Sequence, residues 1–157
     1  MLVNVYYKHM QIIIFDYWLH IQIIIVRERS CAMPLVRIDL RKGRDAAFRK
    51  EIGRIVYEAM VRVGVPANDR FEVVSEHEAA NFQFDPDYLG IHRTDNLVII
   101  QITWNEGRTV EQKKQLYRAI ADGLASSLAI RPEDVVINLV EVRKENWSFG
   151  NGIAQYA

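Results

Sequence analysis

The chain has 157 residues, half of them hydrophobic, and its 20 basic and 20 acidic side chains cancel to a formal net charge of zero. That length and composition suit one compact domain with a real core, while scattered Lys and Arg form neither the basic stripe of a nucleic-acid binder nor the polybasic run of a membrane-surface protein. The single cysteine, Cys31, excludes an internal disulfide and fits a reducing, cytoplasmic setting.

Residues 1–32 differ in kind from the rest, being rich in Ile, Tyr, Gln and His, with Ile12-Ile13-Ile14 and Ile23-Ile24-Ile25 as repeated blocks. They read as a doubtful extension, translated from upstream of a true start at Met33. Three alternatives stand beside that reading. A membrane span is interrupted by Gln11, Asp16, His20 and Gln22. A secretory signal cleaved near Ser30-Cys31-Ala32 runs against Arg27, Glu28, Arg29 and Asp16. The third is an added strand or helix packed on the domain. The expected domain is residues 33–157.

Leu35 to Leu40 alternates, with Val36, Ile38 and Leu40 on one face and Arg37 and Asp39 on the other, as in a half-covered strand. Lys42-Gly43-Arg44 turns the chain and Asp45 caps a helix whose buried stripe is Phe48, Ile52, Ile55, Val56, Ala59 and Val63. The helix ends near Gly64, and the loop Val65-Pro66-Ala67-Asn68-Asp69-Arg70 leads into a second strand, Phe71 to Ser75. The crossover makes the two strands parallel. Pattern then loosens, with Phe82-Gln83-Phe84 as a short strand, Asp85 to Gly90 as a turn, and His77 and His92 as solvated surface histidines without ligand-like partners.

The first pattern returns in the second half. Leu97 to Ile102 is a nearly continuous apolar strand, Glu106-Gly107-Arg108 turns the chain, Thr109 with Gln112 forms a capping box, and Leu116, Ile120, Leu124 and Leu128 make the helical stripe. Glu111, Lys113, Lys114 and Arg118 read as that helix's wet face. Arg131-Pro132-Glu133-Asp134 leads into a fourth strand, Val135 to Val140. Each half thus runs strand, Gly-Arg turn, helix, Pro-containing loop, strand, an internal duplication of a β-α-β unit. Side by side, the units predict an α/β (α+β) domain with a four-stranded mixed sheet and both helices on one face. With apolar residues on both faces of the third and fourth strands, self-association through the sheets covers the other face.

Pro34 stands directly before the first strand. If Met33 is the start and is trimmed, Pro34 carries a free, rigid secondary amine, a base whose pKa desolvation and a neighbouring guanidinium move toward neutrality. Bonded through its nitrogen to Met33, the same residue is a tertiary amide with neither basicity nor an N–H, and its bland reading is a strand-start proline with no ladder N–H to supply.

Pro34 after an initiator methionine, the duplicated unit, the loop Val65 to Arg70, Gly107-Arg108-Thr109-Val110-Glu111-Gln112-Lys113 and Asn146-Trp147-Ser148-Phe149-Gly150 together resemble the tautomerase superfamily, and more narrowly its malonate semialdehyde decarboxylase branch. The resemblance covers Met33 to Ala157. It implies trimers of duplicated chains, no cofactor, and use of the amino-terminal proline in tautomerisation, dehalogenation, hydration or decarboxylation of small oxo acids. It makes Pro34 the catalytic proline, Asp69 the loop aspartate that hydrogen-bonds near it, Arg108 a substrate-carboxylate cation, and Trp147, Phe149 and Tyr156 the apolar wall. One departure weakens decarboxylation specifically: Glu106 stands where the branch has a second arginine, in a longer turn Trp104-Asn105-Glu106-Gly107.

Bland readings accompany these roles. Asp69 can be a turn residue paired with Arg70, and Trp147 and Phe149 can be core. A cation at a helix start, as at Arg108, is unfavourable for the helix dipole, which favours a carboxylate-binding reading. The expected function is a cofactor-free cytoplasmic enzyme in which Pro34 moves a proton on a small oxo acid. Malonate semialdehyde decarboxylase-like decarboxylation or hydration is the alternative chemistry, and a non-catalytic oligomeric binding protein is the alternative if the extension is retained.

Overall fold

The computed structural model describes residues 33–157, so the expectations for residues 1–32 lie outside the described residues. Alternation at Leu35–Arg41 makes strand β1, in which Val36, Ile38 and Leu40 are buried. Gly43, at φ 124°, turns the chain, and the Asp45 carboxylate accepts the Phe48 N–H at 2.7 Å to cap helix α1, Ala46–Arg62. After the loop comes β2, Phe71–His77, parallel to β1 with Leu35 paired to Phe71. Strand β3, Val98–Asn105, runs antiparallel to β1, with Leu35 opposite Thr103. Gly107, at φ 115°, repeats the turn, and the reciprocal Thr109–Gln112 capping box starts α2, Val110–Leu128. Strand β4, Val135–Val142, closes the second unit parallel to β3.

The strand order is β2-β1-β3-β4, a four-stranded mixed sheet built from two β-α-β units. Both helices pack on one face. Val36, Ile38 and Leu40 of β1, Val98, Ile100, Ile102 and Trp104 of β3, Ile52, Val56 and Met60 of α1, and Leu116, Ile120 and Leu124 of α2 form a single core. Helix crossing is close because Gly123 meets the Ile55 side chain, where an added Cβ would lie 2.6 Å from Cγ2. Among the described residues no helix is long and apolar enough to cross a membrane.

Three local expectations are corrected. Residues 82–84 form no strand: Phe82 is buried and stacks on His77 with centroids 5.7 Å apart, while Phe84 lies under the Arg41 guanidinium at 5.5 Å. Two separate anchors, rather than a ladder, impose that period of two. His77 is not a solvated histidine, because β2 extends to it and its Nε2 lies 2.6 Å from Asp39 Oδ1 across the sheet. His92, by contrast, is exposed and bonds Asp87. Lys113 is not on a wet face either, its ammonium lying 2.8 Å from Glu141.

The face away from the helices alternates out of register with the core. It carries Arg37 and Asp39 from β1, half-exposed Phe71 and Val73 from β2, and Ile99, Gln101 and Thr103 from β3. From β4 it carries Val136, Asn138 and Val140, with Gln101 bonded to Asn138 at 3.0 Å. The expectation of an apolar second face holds only in part.

Candidate functional site

The duplication places the Gly43 turn at one end of the sheet and the Gly107 turn at the other, because β1 and β3 are antiparallel. Pro34, at the start of β1, therefore shares an end with Arg108. Extending the register one residue before Leu35 sets Pro34 level with Arg70 of the β2 entry and Trp104 of β3. Pro34 is buried and continues the alternation of Val36 and Ile38, which puts it on the helix side of the sheet.

On that side Trp104 is fully buried, and the Arg108 guanidinium lies over its ring, 3.9 Å from the centroid. Arg108 also donates to the Asn105 carbonyl at 2.9 Å, so stacking and one hydrogen bond fix the cation at the start of α2. Burial pulls its pKa below the ordinary arginine value, opposed by Glu141 and Asp69. It remains a cation at any working pH.

Asp69 is 8% exposed, at the end of the loop between α1 and β2. Its backbone N–H donates to the Pro66 carbonyl at 3.2 Å, but its buried Oδ1 has no hydrogen-bond partner. Burial pushes its pKa above the usual carboxylate value, and Arg108 partly offsets this. A dry carboxyl oxygen without a donor is costly, typically about 1–3 kcal/mol, and the place for one that a substrate, water or amine can complete.

The aromatic residues gather on the other side of the same end. Trp147 and Phe149 are stacked with centroids 5.2 Å apart, Tyr156 meets Phe149 edge-on at 5.6 Å, and Phe71 lies 6.2 Å from Phe149. Asn105 joins the two sides: its Oδ1 accepts the Trp147 indole N–H at 2.8 Å while its carbonyl holds Arg108. The structure thus brings Asp69 and Arg108 together, gathers Trp147, Phe149 and Tyr156, and sets Pro34 at the same end of the sheet, on the helix side.

Reasoning from the sequence missed Trp104, Asn105 and Phe71. Trp104 and Asn105 were expected in a turn, but β3 runs through both. The signal was present in the alternation Val98, Ile100, Ile102, Trp104, whose even positions are all buried. Glu106 is exposed, and its backbone N–H bonds the Val142 carbonyl at 3.0 Å. Among the described residues, no three His, Cys, Asp or Glu side chains gather in a way that could hold a metal ion.

Two family models, both described as tautomerase enzyme, match residues 34–91 and 69–150. The probable tautomerase YusQ of Bacillus subtilis (strain 168) is 44% identical over 124 residues, 78% of this chain and 98% of that protein. Among solved structures, malonate semialdehyde decarboxylase, studied for its decarboxylase and hydratase activities, is 35% identical with a TM-score of 0.72, over 78% of this chain and 95% of that one. A fused 4-OT symmetric trimer shares the fold at 22% identity and a TM-score of 0.65, over 78% of this chain and 97% of its own. With a duplicated β-α-β sheet, matching models across residues 34–150 and a relative this similar along nearly its whole length, the chain belongs to the tautomerase family.

Proposed function

We propose that the protein, once trimmed so that Pro34 is the amino terminus, is a cofactor-free enzyme that interconverts keto and enol forms of a small oxo acid. The observation that carries this reading is the junction at one sheet end of a fixed cation, Arg108, and a dry carboxyl oxygen of Asp69 beside the start of β1. Arg108 binds the substrate carboxylate through charge-assisted hydrogen bonds. The Pro34 nitrogen takes a proton from the carbon alpha to the carbonyl. That C–H electron pair becomes the C=C bond, and the carbonyl oxygen takes up a proton to give the enol. Asp69 orients the amine or a water, and Trp147, Phe149 and Tyr156 wall the site and exclude solvent.

A second reading is supported by the likeness to malonate semialdehyde decarboxylase. In it a protonated Pro34 polarises a 3-oxo acid while the aromatic wall desolvates the departing carboxylate, or Asp69 directs water for hydration. Glu106 in place of a second cation favours the tautomerase reading. We place the enzyme in the cytoplasm, in keeping with a trimmed domain that holds no cysteine, Cys31 lying before Pro34. We also propose a homotrimer, for which the fused 4-OT trimer is the fold precedent and half-exposed Phe71 and Val73 offer apolar area. A stable monomer by light scattering at micromolar concentration overturns the trimer.

The test compares two proteins with mass-verified termini, one beginning at Pro34 and one keeping residues before it. An assay following enol formation from 2-oxo and 3-oxo acids should find the first active and the second folded but inactive. Pro34→Ala, a primary amine, should fall between them. Equal activity in both proteins sinks the proline mechanism.

A further inference from the structure

We infer that Tyr57 and Arg70 are positioning residues whose clasp on the α1–β2 loop keeps the Asp69 carboxylate dry and beside Arg108, a reading that rests on the proposed role of Asp69. The loop needs such a clasp. Val65 is anchored in the core and its N–H bonds the Met60 carbonyl at 3.1 Å, but Pro66, Ala67 and Asn68 are exposed. Asp69 then returns to the interior with no side-chain hydrogen bond on Oδ1 to hold it there. A short exposed loop carrying a group that prefers water opens easily unless something outside it holds it shut.

What holds it is a chain of contacts from α1 and β2. The Tyr57 hydroxyl, on α1, donates to the Ala67 carbonyl in the middle of the exposed stretch. The Arg70 guanidinium, directly after Asp69, lies over the Tyr57 ring at 5.1 Å and bonds Glu72 Oε1 at 3.1 Å. Glu72 is itself pressed on α1 where Gly53 leaves room: a Cβ at Gly53 would lie 1.8 Å from Oε1. Helix, loop and strand entry are thereby tied on both sides of Asp69. Among the described residues no hydrogen bond joins the Tyr57 or Arg70 side chain to Asp69, so their influence runs through the backbone. Removing the Tyr57 hydroxyl frees Ala67 and lets water reach Asp69, and since burial is the main cause of that carboxyl's raised pKa, hydration lowers it.

The experiment is a carbon-13 NMR titration of aspartate carboxyl carbons in the full chain, with the Asp69 signal assigned by its absence in Asp69→Asn. In Tyr57→Phe, which keeps the ring under Arg70, the Asp69 midpoint should move down toward the ordinary carboxylate value. In the protein beginning at Pro34, kcat for an enolisable oxo acid should fall about tenfold with KM little changed, the signature of misplacement rather than lost binding. An Asp69 midpoint at the wild-type value in folded Tyr57→Phe overturns the role of Tyr57. If that variant does not fold, Arg70→Gln decides, with the same downward shift expected and an unmoved midpoint as the contrary result. Because the titration is read on the carboxyl itself, it stands whether or not the Pro34 mechanism does.

Discussion

The two halves of this chain repeat one plan but finish their loops differently. The loop before β4 carries Asp134, fully buried, which accepts the Thr94 N–H at 2.6 Å and its hydroxyl at 2.8 Å. The loop before β2 carries Asp69, nearly as buried, with an oxygen that nothing in the described residues completes. The Gly-Arg turns diverge in the same way: Arg44 lies over Phe48 at 4.6 Å and is spent on Asn96 at 2.6 Å, whereas Arg108 faces the acids Asp69 and Glu141 from its seat on Trp104. One end of the sheet is closed by its own hydrogen bonds. The other keeps its polar groups underused, as sites that must bind something do.

Substitutions at paired positions sharpen this contrast. The largest effect on stability is expected at the closed end, where Asp134→Ala strips two donors of a buried charged acceptor and should cost about 3 kcal/mol in denaturant unfolding, with the site's chemistry kept in the folded fraction. At the open end, Arg108→Ala should reduce kcat/KM for carboxylate substrates by the worth of a charge-assisted bond, about 1.5–3 kcal/mol, while its counterpart Arg44→Ala leaves kinetics unchanged. Equal kinetic losses at the two arginines would erase the contrast.

Asp69→Asn tests the underused carboxylate through its pH dependence. A carboxyl whose pKa is raised by folding favours the native state below its unfolded value, and that contribution is lost as pH rises through the folded value. Melting temperatures of the wild type should therefore lose ground to Asp69→Asn as pH climbs from the ordinary carboxylate value, 3.8, toward neutrality, while the variant's activity profile changes shape. A parallel pair of stability curves speaks against a costly ionisation at Asp69. The smallest effect is shared: Gly43→Ala and Gly107→Ala, both forced into positive φ, should each cost about 1 kcal/mol, equally in both halves.

Much of the architecture was legible because local chemistry and global fold agree. Asp45, the Thr109–Gln112 box and the two glycines mark helix starts and turns through bonds reaching only a few residues along the chain. Legibility failed where long-range contacts set the structure. Phe82 and Phe84 look like a strand until His77 and Arg41 are seen stacked on them, and Trp104-Asn105 looks like a turn until β4 supplies partners at Glu141 and Val142. The candidate site divides similarly. Sequence motifs offered Pro34, Asp69, Arg108 and the tail aromatics as candidates, but Asn105, which couples the tail to the arginine from 42 residues before Trp147, has no local pattern to announce it.

The seat of Arg108 on Trp104 also has an optical side. An indole sealed from solvent, with a guanidinium against its face and no partner on its Nε1, emits from an environment dominated by that one cation. If Arg108 takes a carboxylate as proposed, its arrival changes the field across the ring before any bond to carbon is made or broken. On that reading Trp104 is a built-in lamp for occupancy, able to register ligands that are bound but never transformed.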